Sequence, residues 1–380
     1  MAGQGFRIWF GERAASGDEL RRIEEIEVIQ EMDAFWEARL RMALCLDERG
    51  AWLHWPGEKA EPFSRVRIEL DLGDGRYTPL IDGPLAAIDA GLDAQPGRSS
   101  ATMIVRDDSA WLDRDEEVAP PFEHRRDSEL AREVYGRFQE IRTTRIDPTS
   151  LEPEFTTWRG TALQFLRELG RASDRHAYVL PGPERGASIG CFLADPRGPA
   201  GLAPLRLVGE KRNLAVAVVV QDPDGGERTR ARVLRFDDQG VTDFSTSAEE
   251  LGLMRNLPAR PAKLTPQRLL HPADATRPDA AAAASAQARR NGYVYRLSGH
   301  VVPGCYESIL APYQKVRVDA GATPYSGDYL VKRVVHRITP SVYTQQFEAM
   351  ADSVTEVPGK TAEARDRTLR LEAALQGGIF

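Results

Sequence analysis

The chain has 380 residues and a mass of 42.1 kDa, longer than a single hydrophobic core usually serves, so two to four folding units are expected. Its 42% hydrophobic and 28% charged content is that of a globular protein, and no apolar run approaches the roughly 18–20 residues that cross a bilayer, which argues against membrane insertion. A formal net charge of −7, with Arg-Arg pairs scattered at 21–22, 125–126 and 289–290, argues against nucleic-acid specificity, because phosphate binding needs clustered basic residues.

The first residues, MAGQGFRIWFGERAASGDE, are broken by Arg7, Glu12 and Arg13 and do not read as a signal peptide, so residence in the cytoplasm is expected. Phe6, Ile8 and Phe10 alternate with Arg7 and Trp9 as in a strand. In AFWEARLRMALCL the residues Trp36, Ala38, Leu40, Met42, Leu44 and Leu46 share one parity against Glu37, Arg39 and Arg41. Period 2 outweighs the helix propensity of Ala, Glu, Leu and Arg there, and a strand is predicted. SRVRIELDL repeats the alternation, with Val66, Ile68, Leu70 and Leu72 opposing Arg65, Arg67, Glu69 and Asp71, and GDG at 73–75 makes a turn. After Gly83, two strands flank a loop at Pro96-Gly97. Residues 1–118 therefore read as a small antiparallel β-barrel or sandwich.

The run 113-DRDEE-117 with Pro120-Pro121 reads as a solvated linker, since it lacks the glycine and ligand spacing of a calcium loop. Beyond it, Asp127 is placed to N-cap a helix carrying Leu130, Val134 and Phe138. Thr161-Ala-Leu-Gln164 is a capping-box pattern opening a helix that buries Leu163, Leu166 and Leu169 and stops at Gly170. With the apolar run 177–180, residues 119–190 read as an α/β domain.

Strand patterns resume at LAVAVVVQ (214–221) and TRARVLRF (229–236), which the intervening DPDGG predicts to be a hairpin. A Pro/Ala-rich connector is expected at 258–287, with an Ala-rich helix from Asp279 to Arg290. The second β-barrel domain then takes 191–257 and 288–357, and 358–380 is a C-terminal helical tail. The fold class is thus mainly β with an α/β insert: two similar antiparallel β-barrel domains, a small α/β domain and helical connectors. A weak internal repeat supports the similarity, since Gly83 to Asp107 and Gly327 to Asp352 have nearly equal spacing around strand, loop and strand.

Catalytic and metal signatures are absent. No two of His54, His124, His176, His271, His300 and His336 lie three or four residues apart, and HExxH, GxSxG, GxxxxGK[ST] and GxGxxG do not occur. Cys45, Cys191 and Cys305 form no CxxC pair and read as reduced and structural. No catalytic, cofactor-binding or metal residues are assigned. His336 reads as an imidazole bonded to a neighbouring strand, and the aromatics at 325, 329, 343 and 347 as packing residues. The residues leave open two alternatives: a cell-wall glycoside hydrolase hiding two carboxylates among 57 acidic residues, or a β-rich carbohydrate-binding module stacking sugars on those aromatics.

Two segments, 159-RGTALQFLRELGRASDRHAYVLPG-182 and 325-YSGDYLVKRVVHRITPSVYTQQFEA-349, resemble the late control protein D family, the baseplate hub proteins of contractile phage tails and related injection systems. The second carries the closer likeness, through Tyr325, Ser326, Gly327, Tyr329, Val331, Val334, His336, Ile338, Tyr343, Gln345 and Phe347. The resemblance implies a structural protein without catalytic residues. It implies a homotrimer whose two barrels per chain make a pseudo-sixfold ring, with the inner tube protein on one face, a spike protein on the other and further baseplate proteins at the periphery. It also implies that the spike is a separate polypeptide, and that the protein, assembled in the cytoplasm, becomes part of a phage tail or tail-like particle. An acidic or mixed-charge lumen is expected.

Overall fold

A computed structural model describes residues 5–53, 61–95, 97–222, 228–234, 241–254, 267–270 and 280–353. The expected C-terminal tail at 358–380 and most of the connector at 258–287 lie outside these residues.

The protein is mainly β, and its centre is a thirteen-stranded sheet. The main path runs Leu214–Gln221, Tyr295–Val301, Tyr343–Ala351, Gly327–Ile338, Ile23–Glu31, Glu37–Ala43, Ser100–Arg106, Thr78–Gly91, Arg65–Asp71, Gly5–Phe10 and Arg13–Ala14. Period-2 patterning builds it. In Ile23–Glu31 the buried Ile26, Val28 and Gln30 alternate with half-exposed Glu25, Glu27, Ile29 and Glu31. The core-facing side divides into two apolar clusters, one around Ile26, Leu40, Ile68 and Met103, the other around Leu297, Val316, Tyr329 and Phe347.

Within this sheet the chain repeats one five-strand unit. The N-terminal unit is Ile23–Glu31, Glu37–Ala43, Arg65–Asp71, Thr78–Gly91 and Ser100–Arg106. The C-terminal unit is Leu214–Gln221, Tyr295–Val301, Lys315–Asp319, Gly327–Ile338 and Tyr343–Ala351. In both, the first strand pairs the second, the second the fifth, the fifth the fourth and the fourth the third, all antiparallel.

Irregularities coincide as well. The first and second strands shift register between Ile23 and Glu25 in one unit and between Leu214 and Val216 in the other. The fourth and fifth shift between Leu85 and Ala87, and between Val331 and Arg333. Phe63 and Tyr313, aromatic residues with φ of 67° and 63°, donate their backbone N–H to Leu85 and Val331 at 3.0 and 3.1 Å. A non-glycine residue rarely adopts this left-handed conformation, so its recurrence at one place in both units marks true correspondence. The registers correct the alignment expected from the glycines: Gly83 faces Val66 as Tyr329 faces Val316, so Gly83 corresponds to Tyr329 and not to Gly327.

The two units join without a break, because Gly327–Ile338 also pairs with Ile23–Glu31, from Arg333 opposite Glu31 to Ile338 opposite Ile26. The expected pair of similar β units thus appears as one continuous sheet.

Between the units lies the α/β insert. Its capping box is present: Thr161 Oγ1 accepts from Gln164 N at 3.2 Å and Gln164 Oε1 accepts from Thr161 N at 3.1 Å. The helix Ala162–Ser173 runs past the expected stop at Gly170 and ends at Asp174, in left-handed conformation with φ 57°. Gly170 is there for room, since a Cβ would sit 2.6 Å from the Arg175 carbonyl oxygen. Leu166 and Leu169 are fully buried, each contributing about 1.5–3 kcal/mol. The other helix, Asp127–Tyr135, begins one residue before expectation: its N-cap is Arg126, and Asp127 is the first helical residue.

Three further expectations are corrected. The presumed linker contains a strand, Glu116–Glu123, paired with Phe155–Thr161; Pro120 and Pro121 sit where the register shifts between Ala119 and Phe122, an irregularity that spares them ladder bonds. Leu214–Gln221 does not form a hairpin with the next strand. It pairs with Tyr295–Val301, while Arg228–Leu234 joins Val241–Thr246 and Gln267–Leu269 in a separate sheet. Finally, Cys45 and Cys305 are exposed, so of the three free thiols only Cys191 is buried in the structure. The strand Ser188–Leu193 completes the insert's sheet, so a boundary at 190 would fall inside it. The Ala-rich helix is observed at Ala280–Asn291, packed on Ala162–Ser173.

Candidate functional site: a mixed-charge wall and its seam

The residues that alternate with the core positions form one exposed face across both units, and at the seam it is a ladder of ion pairs. Arg337 reaches Glu25 at 2.6 Å and Glu27 at 3.1 Å. Arg333 lies 3.5 Å from both Glu31 and Glu348, so it bridges three neighbouring strands. Arg39 contacts Glu37 at 2.9 Å and Arg41 contacts Glu24 at 3.3 Å. Neighbours of opposite sign, across strands and, for Arg39 with Glu37, two residues apart on one strand, produce this pattern directly from the alternation of the sequence. Each pair is solvent-accessible and contributes at most about 1 kcal/mol, so the arrangement sets the character of the surface more than its stability.

On the core side the seam is fastened by a polar chain. His336 is fully buried, with Nδ1 2.8 Å from the Tyr343 hydroxyl and Nε2 3.2 Å from Gln30 Oε1, and Gln30 Nε2 donates to the Leu80 carbonyl at 2.7 Å. Burial pushes the imidazole down to about 3, so it is neutral and structural. Gln345 caps a loop, accepting from Leu310 N at 2.8 Å and donating to the Ser308 carbonyl at 3.0 Å. Tyr329 donates to the Tyr325 carbonyl at 2.9 Å. Ser326 Oγ accepts from Ala320 N at 3.0 Å, and Gly327 opens the strand. Phe347 fills the space left by Gly299, where a Cβ would come 2.9 Å from the ring. Of the eight residues singled out in the sequence, Tyr329, His336, Tyr343, Gln345 and Phe347 are thus inside the second unit or its seam, while Tyr325 is exposed.

A second fastening was not legible in the sequence. Arg67, on the parity read as polar, is only 2% exposed; it bonds Glu69 at 2.8 Å and Asp82 at 3.0 Å and donates to the Gly182, Pro183 and Glu184 carbonyls. Arg65 adds Asp82 at 2.7 Å and Asp108 at 2.9 Å. Together they dock the α/β insert on the first unit. The available signal was an Arg-x-Arg-x-Glu strand followed by an isolated Asp82.

Clusters that resemble chemistry resolve as structure. His176 has both ring nitrogens engaged, by Asp33 at 3.3 Å and Asp195 at 3.1 Å, and Tyr293 donates to Asp195 at 2.6 Å. Burial opposes the charged ring, but the bonds and charges of the two carboxylates prevail and raise it to about 9, leaving no free lone pair for a general base. Asp107 is fully buried and burial pushes it up to about 7, yet it accepts from the backbone N–H of Trp36 and Ser109, which is a fastening and not a cleft acid. Among the described residues no group of His, Cys, Asp and Glu is arranged to hold a metal ion, and no helix is long and apolar enough to cross a membrane.

No family model matches the chain, and no curated protein does. Solved structures do. A 43 kDa tail protein of prophage MuSo2 from Shewanella oneidensis is similar at a TM-score of 0.66 and 12% identity over 93% of this chain and 100% of that one. A tail protein from Neisseria meningitidis MC58 is similar at 0.63 and 10%, over 92% and 97%. The c3393 protein of E. coli, a type VI secretion component described as similar to the bacteriophage T4 tail proteins gp27 and gp5, is similar at 0.53 and 11%, over 87% and 73%. The chain therefore has the fold shared by these phage tail and type VI secretion proteins.

Proposed function

We propose that the protein is a structural baseplate hub of a contractile tail or injection system, an adaptor between an inner tube and a spike. The observation that carries this reading is the repeated five-strand unit, identical in connectivity and sharing two register shifts and a left-handed aromatic residue, joined into a continuous wall with a mixed-charge face. Two such units per chain allow three copies to present six similar faces to a hexameric tube while remaining threefold toward a trimeric spike. The charged face lines the channel: interspersed signs keep it hydrated without a strong field of one sign. The tail-protein fold supports the same assignment, and the engaged states of His176, Asp107 and His336 speak against an enzyme. Further baseplate proteins contact the periphery, and the particle carries the hub out of the cytoplasm in which it assembles.

Light scattering coupled to size exclusion tests the proposal. Three chains of 42.1 kDa per particle, seen as a threefold ring in class averages of negatively stained particles, are the expected result. A particle without threefold symmetry overturns it.

A further inference from the structure

Among the described residues two strand sides of the wall have no partner, and the internal repeat says how they meet. In the C-terminal unit the fourth strand has two neighbours on its second side: Lys315–Asp319 along Gly327 to Leu330, then Ile23–Glu31 along Arg333 to Ile338. The fourth strand of the N-terminal unit has only the first of these, Arg65–Asp71 along Thr78 to Pro84. Beyond it, among the described residues, no strand pairs with that side of 87–91. Ala90 occupies the position of His336 by register; it is exposed where His336 is fully buried.

The other end of the wall is Leu214–Gln221, which corresponds to Ile23–Glu31 but, among the described residues, pairs on one side only. Its outward valines, Val216, Val218 and Val220, are 48%, 51% and 56% exposed, and Leu92 at the far edge is 56% exposed. An apolar edge strand open to solvent invites pairing with another chain. Within one copy, among the described residues, this edge and residues 87–91 do not pair with each other.

We infer that the seam inside the chain is repeated between chains: residues 87–91 of one copy pair antiparallel with 218–222 of a second copy. The internal register transfers residue by residue. Arg333 opposite Glu31 becomes Ala87 opposite Asp222, Val335 opposite Ile29 becomes Asp89 opposite Val220, and Arg337 opposite Glu27 becomes Gly91 opposite Val218. Where the internal seam has Arg333 with Glu31 and Arg337 with Glu27, this contact has Ala87 with Asp222 and Gly91 with Val218, so no ion pair crosses it there and backbone hydrogen bonds hold it. The inference deepens the hub reading, on which it rests only for the number of copies that close the ring.

Cysteine pairing tests the register. With exposed Cys45 and Cys305 changed to Ser, a chain carrying Asp89→Cys is mixed with one carrying Val220→Cys and mildly oxidised. Covalent dimer is expected from the mixture and not from either chain alone. Val216→Cys in place of Val220→Cys moves the thiol four residues, about 13 Å along a strand and beyond disulfide reach, and at least a tenfold lower yield is expected. An oligomer that gives no 89–220 dimer, or equal yields from 216 and 220, overturns the register while leaving the hub reading standing. The specific dimer in a particle that is not threefold does the reverse. A protein that is monomeric at high concentration and does not cross-link overturns both.

Discussion

The fully buried His336 and the half-buried His176 are expected to give this protein opposite responses to pH. His336 is held at about 3 against an ordinary 6.5, so between those values the unfolded chain binds a proton that the folded chain does not. Its contribution is complete above 6.5 and is lost as pH falls toward 3, by up to about 1.4 kcal/mol per unit. His176, raised to about 9, contributes fully below 6.5, and that contribution is lost as pH rises through 9. Urea unfolding across this range is expected to show that His336→Gln flattens the acid limb and His176→Gln the alkaline limb; equal slopes in wild type and variant sink the assignment. The repeat supplies a second residue-scale comparison. Arg67 with Asp82 and Arg317 with Asp328 are the same pair in the two units, at 3.0 and 3.2 Å, but the Arg67 side chain is 2% exposed and that of Arg317 is 48% exposed. Arg67→Ala leaves Asp82 and three carbonyls underserved and is expected to cost about 3–5 kcal/mol. Arg317→Ala is expected to cost less than about 1 kcal/mol, both read from denaturant midpoints.

At the scale of elements, the two units solve one packing problem with different residues. Leu40 opposite Met103 in the first unit corresponds to Gly299 opposite Phe347 in the second, a large side chain on one strand traded for a ring on its neighbour. A Cβ at Gly299 meets the Phe347 ring at 2.9 Å and the Val216 carbonyl oxygen at 2.8 Å. Gly299→Ala is expected to destabilise by about 1–3 kcal/mol. Phe347→Met removes one of the two collisions, so the cost of Gly299→Ala should be smaller in that background; additive effects in the double-mutant cycle count against the trade. Such compensation also explains why the repeat was faint in the sequence. Aligning on Gly83 and Gly327 missed by two residues because close approach requires glycine at different places in each unit, whereas the shared features are register shifts and a left-handed residue that no letter pattern announces. Alternation revealed the strands themselves, and Thr161 with Gln164 revealed the helix start. The partner of Leu214–Gln221 was not revealed, because a Val-rich run followed by a turn signal carries no information about a strand some eighty residues away.

Among the described residues the protein is a wall with an apolar strand, Leu214–Gln221, exposed at one end and a strand side without a partner along 87–91. If copies close through those edges, folding and association are linked, and the unfolding midpoint is expected to rise with protein concentration. A midpoint independent of concentration in calorimetry counts against closure. Composition and alternation by themselves determined that this is a β-rich chain with a capped α/β insert and no catalytic signature, because strand periodicity, capping chemistry and active-site motifs are local. The tertiary structure alone decided that Ile23–Glu31 and Gly327–Ile338 join the two units, that Arg67 is buried under the insert, and that the outward valines of Leu214–Gln221 remain exposed. Those outcomes depend on which distant strand lies alongside, and pairing across hundreds of residues is settled by the packing of the entire sheet.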